Sequence, residues 1–158
     1  SEMCIRDSSI RMGEMSVGRK GDELRTLLGS CIGLALFDIR AKVGGLAHIV
    51  LPDSRGDSAR PGKFVDTAVP HLIQLLETEA KQPLSLKAKL CGGASLLSTK
   101  VGYNIGALNV AACEKALAER KIPILSQHVG GDKGRRMILE IETGKVRIEI
   151  VGEGTFDV

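Results

Sequence analysis

The chain has no tryptophan, one tyrosine and three phenylalanines among its 158 residues. Proteins that grip single-stranded nucleic acid stack bases on aromatic rings, so that mode of binding is poorly served here. The core must instead come from Leu, Ile, Val and Ala. No C-x-x-C pair occurs among Cys4, Cys31, Cys91 and Cys113, so neither a zinc nor a dithiol redox motif is signalled. No apolar run reaches the ~18 residues of a membrane span, and no signal-peptide pattern opens the chain. A basic block is also missing. The net charge of +3 is spread along the sequence, which gives no field for nucleic acid or an anionic membrane. A cytoplasmic protein with free thiols is expected, without nucleic-acid binding or membrane insertion.

What is present suits one folded domain. Apolar residues make up 43% and charged residues 26%, near the globular norm. Residues 1–8 (SEMCIRDS) have no period and read as a non-native or disordered leader; Cys4 goes with them. Residues 9–158 read as a single domain.

Residues 11–16 and 26–28 are expected to be short extended segments. Residues 31–39 are apolar on both faces, as in a strand covered on both sides, and 45–51 read as a second such strand. A turn near Ile39 and Arg40 would make them a hairpin. A polar loop, 52–62, precedes a helix over 66–80, with Asp66 as N-cap, Pro70 in the first turn and Val69, Leu72, Ile73 and Leu76 facing inward. Residues 84–91 read as a strand. A second helix within 104–121 turns Val110, Ala111, Cys113 and Leu117 inward and stops before Pro123. A strand over 124–128 and a hairpin from 137–141 and 146–150 follow. The fold class is α/β (α+β): a layered sandwich of mixed, largely antiparallel β-sheets with two main helices.

Cys31 follows Gly29-Ser30 and opens a strand. Backbone N–H groups at such an end can stay unpaired, where they favour a thiolate and can hold a developing oxyanion. Position alone still favours a buried structural cysteine. His48 changes the balance, because the hairpin arithmetic sets it almost opposite Cys31, and a Cys–His pair is an activated nucleophile. A one-residue slip would put the two on opposite faces. A lone histidine in an apolar strand is more often a core histidine; for the pair, packing and catalysis stand level. Thr26 has the right chemistry to orient the imidazole, although β-propensity alone accounts for it. The glycine-rich stretches 91–95 and 130–134 match no phosphate-binding pattern and read as tight turns. His71 and His128 have no assigned role.

The stretches TLLGSCIGLALFD (26–38) and GLAHIVLPDS (45–54) resemble the CheD family of chemoreceptor glutamine deamidases. So do PGKFVDTA (61–68), GGAS (92–95), NIG (104–106), and Gly130-Gly131 with Gly134-Arg135. The resemblance implies hydrolysis of glutamine side-chain amides, with release of ammonia, on the cytoplasmic helical region of methyl-accepting chemotaxis receptors. It puts the catalytic Cys and His on Cys31 and His48. The family's catalytic Thr, whose distance from the Cys varies among members, falls on Thr26. It implies no metal and no cofactor, attack by a Cys31 thiolate with a His48 imidazolium protonating the leaving ammonia, and a fold similar to the catalytic domain of cytotoxic necrotizing factor toxins. A second implied partner, bound by some members, is the CheY-phosphate phosphatase CheC. Leu108 stands where many members carry Arg, a departure that bears on any contact made through that Arg. Two other readings of the chain are another Cys–His hydrolase and a catalytically weak adaptor that binds receptors or CheC.

Overall fold

The computed structural model describes residues 7–57, 59–95, 104–150 and 152–158. The leader expected over 1–8 falls mostly outside them; Asp7 and Ser8, which are described, lie in a strand. In chain order the strands are β1 (Asp7–Ser9), β2 (Met15–Arg19), β3 (Glu23–Leu28), β4 (Ile32–Asp38), β5 (Val43–Ile49), β6 (Lys87–Gly92), β7 (Ile124–Val129), β8 (Arg135–Glu140), β9 (Lys145–Ile150) and β10 (Gly154–Asp157). Two α-helices, α1 (Val65–Ala80) and α2 (Ile105–Glu119), flank β6 in the chain.

The strands form two five-stranded sheets, ordered β1-β3-β8-β9-β10 and β2-β5-β4-β6-β7. Both are mixed. The β1–β3 and β6–β7 pairs are parallel and the other pairs are antiparallel. The second sheet lies in the middle, with the first sheet on one face and the helices on the other. The alternation along β4 shows why. Ile32, Leu34 and Leu36 join the helix-side core with Leu72, Leu76 and Leu117. Cys31, Ala35 and Phe37 join the core between the sheets with Leu24, Leu46 and Met137. Every residue of β4 and β5 is buried. Two-faced burial explains their near-continuous apolar sequence.

Helix α1 starts at Val65 with Phe64 as a cap that lacks a side-chain bond, so Asp66 is not the N-cap. Its carboxylate instead accepts from the Ser54 N–H at 2.9 Å and the Ser54 hydroxyl at 2.6 Å. Pro70 therefore sits inside the helix, beyond the first turn. It removes the N–H that would reach the Asp66 carbonyl. Burial of Val65, Ala68, Val69, Leu72 and Leu76 holds the helix through that gap. On α2 the buried residues are Gly106, Asn109, Cys113 and Leu117, while Ala111, expected inside, is exposed. Gly106 is required by contact, since a Cβ there would strike the backbone of Gly93 and Ala94. Strand β10 has no counterpart in the sequence reading. Its short GTFD segment carries no alternation long enough to register, and only pairing with β9 defines it.

Candidate active site

The β4–β5 hairpin sets the register of the site. Its loop is Ile39–Lys42, closed by an Ala41 N–H bond to the Asp38 carboxylate at 3.0 Å and a Lys42 N–H bond to the Ile39 carbonyl at 3.2 Å. The turn therefore centres one residue later than expected. His48 pairs with Gly33, not with Cys31. This shift moves the register by two, and an even shift keeps side-chain parity. Cys31 and His48 thus remain on the same, inter-sheet face, as diagonal rather than direct neighbours, a relation that typically spans roughly 7–8 Å. Among the described residues no hydrogen bond joins them. The His48 Nε2 is buried and without a partner.

The other imidazole nitrogen is engaged from the opposite sheet. Thr26 on β3 and His48 on β5 meet across the sandwich, with the Thr26 Oγ1 2.6 Å from the His48 Nδ1. The same hydroxyl donates to the Ile10 carbonyl at 2.6 Å. A threonine hydroxyl has one proton, and a carbonyl can only accept. The proton therefore goes to Ile10, and His48 Nδ1–H must be the donor to Thr26. In the neutral ring this leaves a lone pair on Nε2, the nitrogen available to a thiol. The chain Ile10, Thr26, His48 fixes the ring's tautomer and its orientation together.

Burial controls the protonation of both groups. His48 is 4% exposed, and loss of solvent holds its imidazole below the usual histidine range. Cys31 is 9% exposed, and the same desolvation pushes its thiol up. Both shifts favour the neutral pair at rest. The other two described thiols are deeper: burial pushes Cys91 and Cys113 up to about 12.

The segment carrying Cys31 is tied down at three successive carbonyls. The Gly29 carbonyl accepts from the Ala94 N–H at 3.0 Å, and the Cys31 carbonyl accepts from the Gly93 N–H at 2.9 Å. Between them, the Ser30 carbonyl accepts from the Asn109 Nδ2 at 3.2 Å. The same Nδ2 donates at 3.0 Å to the carbonyl of Val50, two residues past His48. Gly92 has φ +101°, and any Cβ there would strike the Cys31 carbonyl, so this approach needs glycine. Asn109 was missed in the sequence reading. The signal was an amide on the apolar face of a helix, spaced by three and four residues from Gly106 and Cys113.

A cavity of about 760 Å³ opens beside the imidazole, lined by Thr26, His48, Ile10, Met12, Leu27 and several arginines. A larger one of about 1000 Å³ begins at Leu28 and Gly29; Leu27 and Arg136 border both. Met12 and Leu27 are exposed apolar side chains at this mouth. The remaining candidates lie apart. His71 is half-buried on α1. His128 stacks edge-on against Phe156, and its Nδ1 accepts from Arg135 at 2.8 Å. The glycine-rich stretches are turns: Gly92, Gly93, Gly130 and Gly131 all have positive φ, and the Gly130 N–H bonds the Gly92 carbonyl. Leu108 is an exposed position of α2.

Two comparisons bear on this arrangement. Residues 50–150 match the family described as CheD chemotactic sensory transduction. At full length, the chain is 41% identical over 162 residues to a protein of Clostridium botulinum strain Hall, covering 99% of this chain and 100% of that one. It is 47% identical over 159 residues to one from Clostridium botulinum strain Eklund 17B, covering 95% and 98%. Both relatives are named "Probable chemoreceptor glutamine deamidase CheD". The family match begins just after His48, while the full-length matches extend through the N-terminal part that carries Thr26, Cys31 and His48. With relatives this similar over nearly its whole length, the chain belongs to the CheD chemotactic sensory transduction family.

Proposed function

We propose that this protein is a protein-glutamine deamidase that converts glutamine side chains of chemoreceptors to glutamate. Cys31 is the nucleophile, His48 the general base and acid, and Thr26 the group that orients His48. The observation that carries the reading is the imidazole. One nitrogen is tied to Thr26, the other bears a free lone pair, and the ring shares a face with a thiol at the start of the adjacent strand.

The Cys31 proton moves to the His48 Nε2 as the sulfur attacks the glutamine δ-carbon. The imidazolium then protonates the departing nitrogen, and ammonia leaves a thioester. Neutral His48 next takes a proton from water, whose oxygen displaces the sulfur. Glutamate forms and the thiol is restored. A neutral pair at rest suits this order, because the proton moves only when substrate closes the gap between sulfur and ring. Catalytic contacts are often long in the free enzyme.

The proposed substrate is the cytoplasmic helical region of methyl-accepting chemotaxis receptors, and CheC is the proposed second partner. No helix among the described residues is long and apolar enough to cross a membrane. Action in the cytoplasm, one domain over residues 9–158, and a fold like the cytotoxic necrotizing factor catalytic domain belong to the same proposal. Two face-to-face sheets with the cysteine at a strand start support the last of these. The test is to incubate the protein with receptor cytoplasmic fragments and weigh them. A gain of about one dalton per converted amide, with ammonia released and no chain cleavage, is expected. Unchanged masses would refute the activity.

A further inference from the structure

We propose that Asn109 is a positioning residue that aims the Cys31 N–H at the oxyanion formed during deamidation; this rests on the deamidase reading above. The backbone at Cys31 is half of a β-ladder pair. The Gly93 N–H bonds the Cys31 carbonyl, but among the described residues the return bond from the Cys31 N–H is missing. Gly92 and Gly93, at φ +101° and +63°, turn β6 away at that point. The Cys31 N–H is thus released from the ladder beside the sulfur it accompanies.

Its direction is set by the peptide before it. Ser30 C=O and Cys31 N–H belong to one planar trans unit and point in opposite directions. Asn109 holds that carbonyl at 3.2 Å, so it also fixes where the N–H points. The neighbouring carbonyls are held by the backbone groups Ala94 N–H and Gly93 N–H, so this middle bond is the one a side chain supplies. The same Nδ2 holds Val50, which links the cysteine segment to the end of the histidine strand. Asn109 is fully buried, and its Oδ1 has no partner. An unpartnered buried acceptor weakens a fold. Its two donor bonds therefore give a better account of the residue than stability does.

In the step concerned, the sulfur–carbon bond forms and the carbonyl π pair moves onto oxygen. The Cys31 N–H donates to that oxygen until the pair returns and ammonia leaves. Alkylation by iodoacetamide forms a sulfur–carbon bond by displacing iodide and develops no oxyanion. The two reactions therefore separate aiming of the N–H from the general health of the thiol.

For Asn109→Ser and Asn109→Ala, deamidation of receptor fragments should lose about 100-fold or more in kcat, the usual effect of losing one oxyanion donor. KM and the Cys31 alkylation rate should each stay within about threefold. Retained kcat, or equal loss of both rates, would overturn the proposal. If neither variant folds, the wild-type protein decides. A peptide whose glutamine side chain is replaced by an aldehyde adds to the thiol, and the Cys31 amide proton should then move strongly downfield. An unmoved amide would overturn the proposal. Wild-type protein that alkylates and adds the aldehyde but leaves receptor fragments unchanged would count against the substrate, not against Asn109.

Discussion

Thr26 and His48 stand 2.6 Å apart, oxygen to Nδ1, although they belong to different sheets. The contact bridges the inter-sheet space among the apolar side chains of Leu24, Leu28 and Leu46. Thr26→Val keeps the shape and deletes the hydroxyl. The Nδ1–H and the Ile10 carbonyl are then left buried and unpaired, at a cost of about 1–3 kcal/mol. The ring is freed to rotate or change tautomer, so deamidation should fall by about 10–100-fold, part of what general acid–base catalysis supplies. Thr26→Ser keeps the bonds and should retain most activity. Ammonia release and a thermal melt on both variants check this; equal loss in the two would remove the hydroxyl from the mechanism.

Cys31→Ala and His48→Ala should each abolish deamidation while the domain stays folded. Removing one sulfur from a site already bordered by small residues costs about 1 kcal/mol, against the ~5–15 kcal/mol of a typical domain. Without the sulfur no thioester forms, and without the imidazole the thiol keeps its proton. The double variant should be no worse than either single one, because the groups act as a unit. A folded Cys31→Ala protein that deamidates near the wild-type rate would falsify the nucleophile assignment.

Native labelling should rank the thiols. Cys91 and Cys113 are fully buried and pushed up to about 12, so almost no thiolate exists at neutral pH. Cys31 is also raised, yet it keeps some exposure and has an imidazole on its own face. Iodoacetamide at pH 7.5, followed by peptide mass mapping, should modify Cys31 before Cys91 and Cys113. Labelling of all three at one rate would contradict the geometry.

Stability should fall on mild acidification. Burial lowers the folded imidazoles of both His48 and His128. The unfolded chain takes up protons as pH drops through about 6.5, while the folded chain resists until lower pH. The stability is thus complete above that range and drains away below it. Urea melts at pH 5.5 and 7.5 measure the difference, which His48→Gln should shrink. Activity should persist below pH 6.5 for the same reason, since the base stays neutral there. A pH-independent melt would mean that these rings do not titrate as their burial demands.

The hairpin was legible from the residues because two-faced apolar strands advertise themselves. So was the parity that keeps Cys31 and His48 on one face. The turn's centre was not legible. It depends on Asp38 accepting from Ala41 and also from Ser85, a residue 47 positions away. Asp66 shows the same limit: a good N-cap by local rules, it is drawn off by Ser54 from the preceding loop. The bond between Thr26 and His48 requires two sheets to face each other, a relation that no local pattern encodes. Asn109 escaped because its partners are carbonyls, which leave no mark in the sequence.

Three layers contribute to the proposed reaction centre: Thr26 from the first sheet, Cys31 and His48 from the second, Asn109 from the helices. A chain that has formed only one sheet, or both sheets without α2, holds every one of these residues but only part of the geometry. On the proposed assignment, deamidation switches on at the final docking of the layers. During refolding, recovery of deamidation should lag behind recovery of secondary structure, making turnover a direct clock for closure of the sandwich.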